Sequence, residues 1–148
     1  MLTKIRFEKF TAFKKLELVL SPGINVLIGT NGTGKTHALK VAYSACAIAG
    51  NMGHIGEKLV RCFLPLDDSV GRLVYRERLG RSAGSVEVYQ KEGRIRVYIS
   101  TVMGDARKAR ITSDEIWHRK AIKCAYIPVK EMLANAPGFS SLYKERAI

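Results

Sequence analysis

Long apolar runs are missing from this sequence of 148 residues. Nothing approaches the roughly 18–20 residues a membrane-spanning helix needs. The longest candidate, Val41 to Gly50, carries Tyr43 and Ser44 and reads as a buried helix. The opening MLTKIRFEKF has no apolar core followed by a small-residue cleavage site, so no secretory signal is expected. Cysteine is scarce: Cys46, Cys62 and Cys124 are odd in number and far apart. They suit neither a disulfide framework nor a zinc spacing, and buried free thiols in a reducing cytoplasm are expected. His37, His54 and His118 are equally scattered, so a metal site made of side chains alone is not expected. Glycine and proline are too few for disorder, and neither repeats nor low-complexity tracts occur. The length and apolar content suit one compact domain. Acid is the other shortage. Thirteen Asp and Glu stand against twenty-five Lys and Arg, a formal charge of +12, which attracts polyanions: nucleic acid, nucleotide or an acidic partner.

What is present is a glycine-rich loop in a specific setting. Residues 24–36 read INVLIGTNGTGKT, and Gly29, Gly34, Lys35 and Thr36 satisfy G-x-x-x-x-G-K-[ST], with a further glycine at Gly32. Ile24, Val26, Leu27 and Ile28 are expected to form a buried strand before the loop, and His37 to Ala49 a helix after it. Glycines let successive backbone N–H groups curl around a phosphate without an obstructing Cβ. The helix adds its positive dipole end and unpaired donors. Gly29, Thr30, Asn31, Gly32, Thr33, Gly34, Lys35 and Thr36 are therefore the expected nucleotide-binding residues. Lys35 supplies charge to the β- and γ-phosphates, and the Thr36 hydroxyl a ligand to Mg²⁺.

Leu2 to Phe7 alternates apolar and charged residues, as an edge strand would, and Lys15 to Leu20 is a second strand with Leu16, Leu18 and Leu20 on one face. Ser21-Pro22-Gly23 signals a turn. Gly50-Asn51-Met52-Gly53 breaks the chain after the helix, and Ile55 to Leu64 reads as a short amphipathic helix closed by Pro65. Gly71 to Leu79, Ser85 to Gln90 and Arg94 to Val102 are β-rich, with a hairpin turn at Lys91-Glu92-Gly93, and predict an antiparallel meander. Ala106 to Arg119 is ambiguous, Ala121 to Ile127 reads as a strand halted by Pro128, and Phe139 to Ala147 as a final helix. The segments divide into a core at 1–64, an antiparallel β lobe at 70–128 and a helical continuation at 129–148. Much of the basic excess lies between Arg72 and Lys123, including Arg94, Arg96, Arg107, Lys108 and Arg110. Such residues contact nucleic acid or simply face solvent, and the sequence leaves both open.

The stretch KKLELVLSPGINVLIGTNGTGKT, with the strand KIRFEKFTAF before it, resembles the amino-terminal nucleotide-binding segment of SMC/RecF/ABC-type ATPases. It looks closest to bacterial AAA-family ATPases related to RecF and to the overcoming-lysogenization-defect proteins. Asn31-Gly32 inside the loop is the more specific mark, and Tyr126 to Arg146 looks like the continuation in one subgroup. The resemblance implies an α/β fold: a P-loop NTPase half-domain, ABC/SMC-like, with an antiparallel β lobe inserted after the P-loop helix. It implies binding of ATP and Mg²⁺ through a Walker A loop. Hydrolysis would need a signature motif, a Walker B strand ending in Asp-Glu and a switch histidine. No apolar run followed by paired acids occurs here: Asp67-Asp68 follows a proline-broken stretch and Asp114-Glu115 a polar one. No catalytic residue is therefore assigned, and a missing C-terminal ATPase segment or second head is the implied partner. Lys9, Thr11 and Ala12 depart from the family's Asn-Phe-Arg-Ser-Phe opening, and Pro128-Val129-Lys130-Glu131, with no glutamine, stands where a Q-loop would be expected. Glu131 there is either a group that approaches Mg²⁺ or a water, or an exposed helix-start acid. A self-contained P-loop phosphotransferase, or a basic nucleic-acid-binding module with a non-catalytic loop, are the alternative readings.

Overall fold

The computed structural model describes residues 1–50, 55–77, 80–102, 109–113, 117, 119 and 121–127. Five strands, β1 (Leu2–Phe10), β2 (Phe13–Val19), β3 (Ala83–Gln90), β4 (Gly93–Ser100) and β5 (Arg110–Ser113), form one antiparallel sheet in the order β2-β1-β3-β4-β5. Among the described residues two α-helices, α1 (Lys35–Ala47) and α2 (Ile55–Phe63), and two short 3₁₀ turns accompany the sheet. The two amino-terminal strands thus share a sheet with the three that lie beyond both helices.

Alternation sets the two faces of the sheet. Ile5 and Phe7 of β1, Val86 and Val88 of β3, and Ile95, Val97 and Ile99 of β4 are buried in one core with Ala38, Val41 and Ala45 of α1 and Leu59 of α2. The opposite residues, Arg6, Glu17, Arg94 and Arg96, face solvent. β1 is not the edge strand its charges suggested. It pairs with β2 on one side and β3 on the other, and β2 is the edge. Its charges belong to the solvated face of an antiparallel sheet, which looks the same in sequence as an edge. The β3–β4 hairpin turns at Lys91 and Glu92, with Gln90 opposite Gly93, as expected.

Several other expectations give way. Gly71 to Leu79 holds no strand among its described residues. Val70–Leu73 is a 3₁₀ turn, and only Val74 bridges to Phe10. Val70, Leu73 and Val74 are all buried, so the run plugs the end of the core instead of alternating across a sheet. Ala121 to Ile127 is irregular and mostly exposed. Its apolar spacing mimics a strand, but no neighbouring strand pairs with it among the described residues. The segment Ile24–Ile28, expected as a buried strand, has no strand structure; Ile24, Val26 and Ile28 are 90%, 73% and 92% exposed. Its apolar content carries the sequence signal, yet none of the described strands pairs with it. Cys46 and Cys62 are buried as expected, whereas Cys124 is exposed. Asp67 and Asp68 lie on an exposed 3₁₀ turn, as a surface loop would. The final helix, Glu131, Arg107, Lys108, His54, His118 and Asp114-Glu115 lie outside the described residues.

Two features tie the sheet to α1. Trp117 is fully buried; its indole N–H donates to the Ala45 carbonyl at 3.3 Å, and its own carbonyl accepts from Gly50 at 3.4 Å, which anchors the end of α1. At the other end an aromatic row runs from Phe13 through Phe7 and Phe10 to Phe63 and His37, with ring centroids 4.7–6.0 Å apart. This row passes from the sheet to the first turn of α1.

Candidate functional site

The glycine-rich loop is built by backbone geometry more than by side chains. Gly34 has φ +90° and caps α1 without a side-chain hydrogen bond. A Cβ on Gly34 would stand 2.5 Å from Cζ of Phe13 and 3.1 Å from Cβ of Ala12. The β1–β2 turn therefore presses directly on the loop, and only glycine satisfies both its dihedral and its space. That turn is itself held from below. Thr11 N–H donates to Leu73 O at 2.6 Å, and Tyr75 N–H to Lys9 O at 2.9 Å. Lys9 and Thr11 adopt φ of 47° and 48°, where the end of β1 turns its hydrogen bonds to residues 73–75.

The loop is exposed from Gly29 to Thr33, with Thr36 also exposed on the first turn of α1. No acid lies in that turn. The first N–H groups of a helix have no intrahelical acceptor, so an uncapped start with no nearby acid favours an anion. Lys35 turns back over the loop, its ammonium donating to Gly29 O at 2.7 Å and Thr30 O at 2.6 Å. Thr33 Oγ1 also donates to Thr30 O, at 2.9 Å. An anion that claims Lys35 must exchange these two carbonyl bonds for charge-assisted ones, which are stronger. All eight residues expected at the site, Gly29 to Thr36, thus form one continuous loop and helix start.

Sequence reasoning missed the surroundings. An open groove of about 520 Å³ runs beside the loop, lined by Phe13, Lys14 and Leu16 of β2, by Val26 to Ile28, and by Thr33 and Lys35. Lys14 is paired with Glu77 at 2.6 Å, which holds the Glu77 carboxyl below its ordinary range. His37 packs on Phe63 with its Nδ1 buried and unpartnered, and its pKa is lowered, first by burial and then by Lys40. A Phe at position 13 was not recognisable as part of the site, since its role depends on a hairpin that brings it to Gly34.

A second concavity, of about 460 Å³, lies on the outer sheet face between Arg6, Lys15, Glu17 and Glu87. Its charges already satisfy one another. Arg6 is paired with Glu17, Arg96 with Glu87 at 3.3 Å, and Tyr89 donates to Glu87. Cation and acid alternate across four strands, so this surface has little left to offer an anion. Among the described residues no cluster of His, Cys, Asp and Glu could hold a metal ion, and no helix is long and apolar enough to cross a membrane.

No family model matches the chain. Curated proteins do match part of it. The DNA replication and repair protein RecF of Enterobacter sp. (strain 638) is 35% identical over 77 residues, 52% of this chain and 18% of that protein. The RecF proteins of Klebsiella pneumoniae and Cronobacter sakazakii are each 42% identical over 43 residues, 29% of this chain and 12% of theirs. The chain is similar to RecF over part of its length. It spans less than a fifth of these curated relatives, and the likeness supports an SMC/RecF/ABC-type relationship loosely.

Proposed function

We propose that this chain is the ATP-binding amino-terminal portion of a RecF-like P-loop ATPase. The observation that carries this reading is the loop Gly29–Thr36 at the uncapped start of α1, closed from behind by Phe13 on a glycine that admits no side chain. The donor set fits a nucleotide with Mg²⁺. The amides of the loop and first turn take phosphate oxygens, Lys35 adds a movable positive charge, and the Thr36 hydroxyl is placed on an exposed turn to ligand the metal. Bound Mg²⁺ would neutralise phosphate charge. Thr36 is the one side chain the loop would offer the ion, and nucleotide phosphate oxygens would supply further ligands. Lys35 holds and releases: it rests on Gly29 and Thr30 and transfers its donors to phosphate when ATP arrives.

Hydrolysis belongs to a carboxy-terminal ATPase segment or second head that would supply the acid and the signature motif, neither of which the sequence contains. The isolated chain therefore binds ATP and turns it over negligibly. Thr36→Ala should lose the Mg²⁺ dependence of binding, read by displacement of a fluorescent nucleotide with and without the metal. Steady turnover by the isolated chain that vanishes in Lys35→Ala would instead identify a self-contained phosphotransferase.

DNA is a second proposed partner, supported by the relatives' naming as DNA replication and repair proteins and by the basic balance of this chain. Arg94, Arg96 and Arg110 are exposed on the neighbouring strands β4 and β5, Arg96 while paired with Glu87. Arg and Lys contacts of this kind neutralise phosphates without reading sequence.

A further inference from the structure

Strand β2 is an edge of the sheet, and its backbone is satisfied on one side only. Leu20 N–H donates to Thr3 O at 2.8 Å, and in the same register Val19 stands opposite Lys4 and Leu18 opposite Ile5. Opposed residues of an antiparallel pair alternate between bonded and unbonded. Leu18 and Leu16 therefore turn their N–H and C=O groups to β1, and Lys15, Glu17 and Val19 turn theirs outward. Among the described residues none of these three has a backbone partner there. An open edge of this kind accepts another strand unless its charges deter it.

The charges here deter most registers and suit one. Across the outer face opposed side chains alternate in sign, from Arg96 to Glu87, Arg6 and Glu17. That row reaches the edge as an acid. The next row, Glu8 opposite Lys15, reaches it as a base. We propose that β2 pairs with β2 of a second copy of this chain, antiparallel about a two-fold axis at Leu16. Lys15 of each copy then stands opposite Glu17 of the other in a hydrogen-bonded pair, and both rows continue with alternating sign into the second sheet. On the inner face Leu16 meets Leu16 of the second copy, beside the groove that Leu16 and Leu18 line. An axis at residue 15 sets Lys15 against Lys15, and one at residue 17 sets Glu17 against Glu17. Like charges directly opposite destabilise a strand pair. An axis at residue 18 leaves both charges unmatched. The contact is isologous, so it closes at two copies. It stands independently of the nucleotide reading.

The test is sedimentation of chain 1–148 over a range of concentrations, in nucleotide-free buffer, together with hydrogen exchange. A monomer–dimer equilibrium is expected, and the Lys15 and Glu17 amides should exchange about tenfold or more slowly in the dimer than in the dilute chain. Lys15→Glu sets acid against acid and Glu17→Lys base against base. Each should weaken self-association by about tenfold or more, because symmetry repeats the like-charge contact. Both side chains are exposed, so each variant keeps a cooperative melting transition. Mixing the two variants should restore association to near the parent's, since every Glu then faces a Lys across the axis. A chain that stays monomeric up to about 1 mM overturns the proposal. So does a dimer whose Lys15 and Glu17 amides exchange as in the dilute chain, or a mixture that associates no better than its components. Protection of those amides already present in the monomer would give the edge to another segment of the chain, and overturns it too.

Discussion

Gly34 carries two independent constraints, and each has a measurable size. Its left-handed φ of +90° costs a side chain about 1–2 kcal/mol, and a Cβ would also collide with Phe13 at 2.5 Å. Gly32 has φ +81° but faces open space, so only the dihedral cost applies there. Gly34→Ala should therefore lower the melting temperature clearly more than Gly32→Ala, the latter falling by about 2–6 °C. Equal shifts would mean that the hairpin does not press on the loop. His37 gives a pH signature. Burial, with Lys40 adding to it, holds its folded pKa below the ordinary 6.5. The unfolded chain then binds more protons below that value, so stability falls as pH drops from 7.5 to 5.5. In His37→Phe this part of the slope should disappear in melts across that window. A slope unchanged by the substitution would place the titrating group elsewhere.

The elements are held by close approaches that the sequence signals only faintly. Gly84 of β3 sits under the bent end of β1, where a Cβ would stand 2.1 Å from Lys9 O. Gly84→Ala must separate the two strands and should cost about 3 kcal/mol in chemical denaturation; a loss under half a kcal/mol would contradict that packing. The outer ion pairs matter less. Arg6 holds the Glu17 carboxyl below its ordinary value, so the pair stabilises above about pH 4.5 and its contribution is lost as pH falls through the lowered value. Both partners are exposed, which keeps the effect small. β3, β4 and their turn were legible because they alternate cleanly around a two-residue link. β1 was legible as a strand but not as an inner one, because its outward charges match those of an edge. The run at 71–79 was misread because its buried Leu73 and Val74, with Val70 just before it, fill the end of the core. Trp117 gave no warning, standing among polar residues, since its partner Ala45 is distant in sequence. The helix after the glycine-rich loop was legible from the loop's spacing, but the buried strand expected before it was not found. Phe13 was not legible, because its contact exists only once the hairpin folds.

At the scale of the whole molecule, a polar-outside, apolar-inside sheet lies beside a glycine-rich loop, and a largely exposed apolar segment leads into it. The whole chain carries a charge of +12, and on the sheet's outer face ion pairs run from β2 to β4 while Arg94, Arg96 and Arg110 remain exposed toward β5. If these arginines contact duplex DNA, binding should fall with salt by about 0.9 log unit per log unit for each neutralised phosphate. Arg94→Ala, Arg96→Ala and Arg110→Ala together should flatten this slope while ATP affinity is kept. An unchanged slope would leave these arginines as solvated surface. Nucleotide binding by Gly29–Thr36 is the central claim, and calorimetric titration of the chain with ATP and Mg²⁺, beside Lys35→Ala, tests it most directly. A saturable heat at one site per chain is predicted, with affinity at least about tenfold lower in the variant, as the loss of charge-assisted bonds worth roughly 1.5–3 kcal/mol requires. No binding by the parent chain, or equal binding by both, would contradict it.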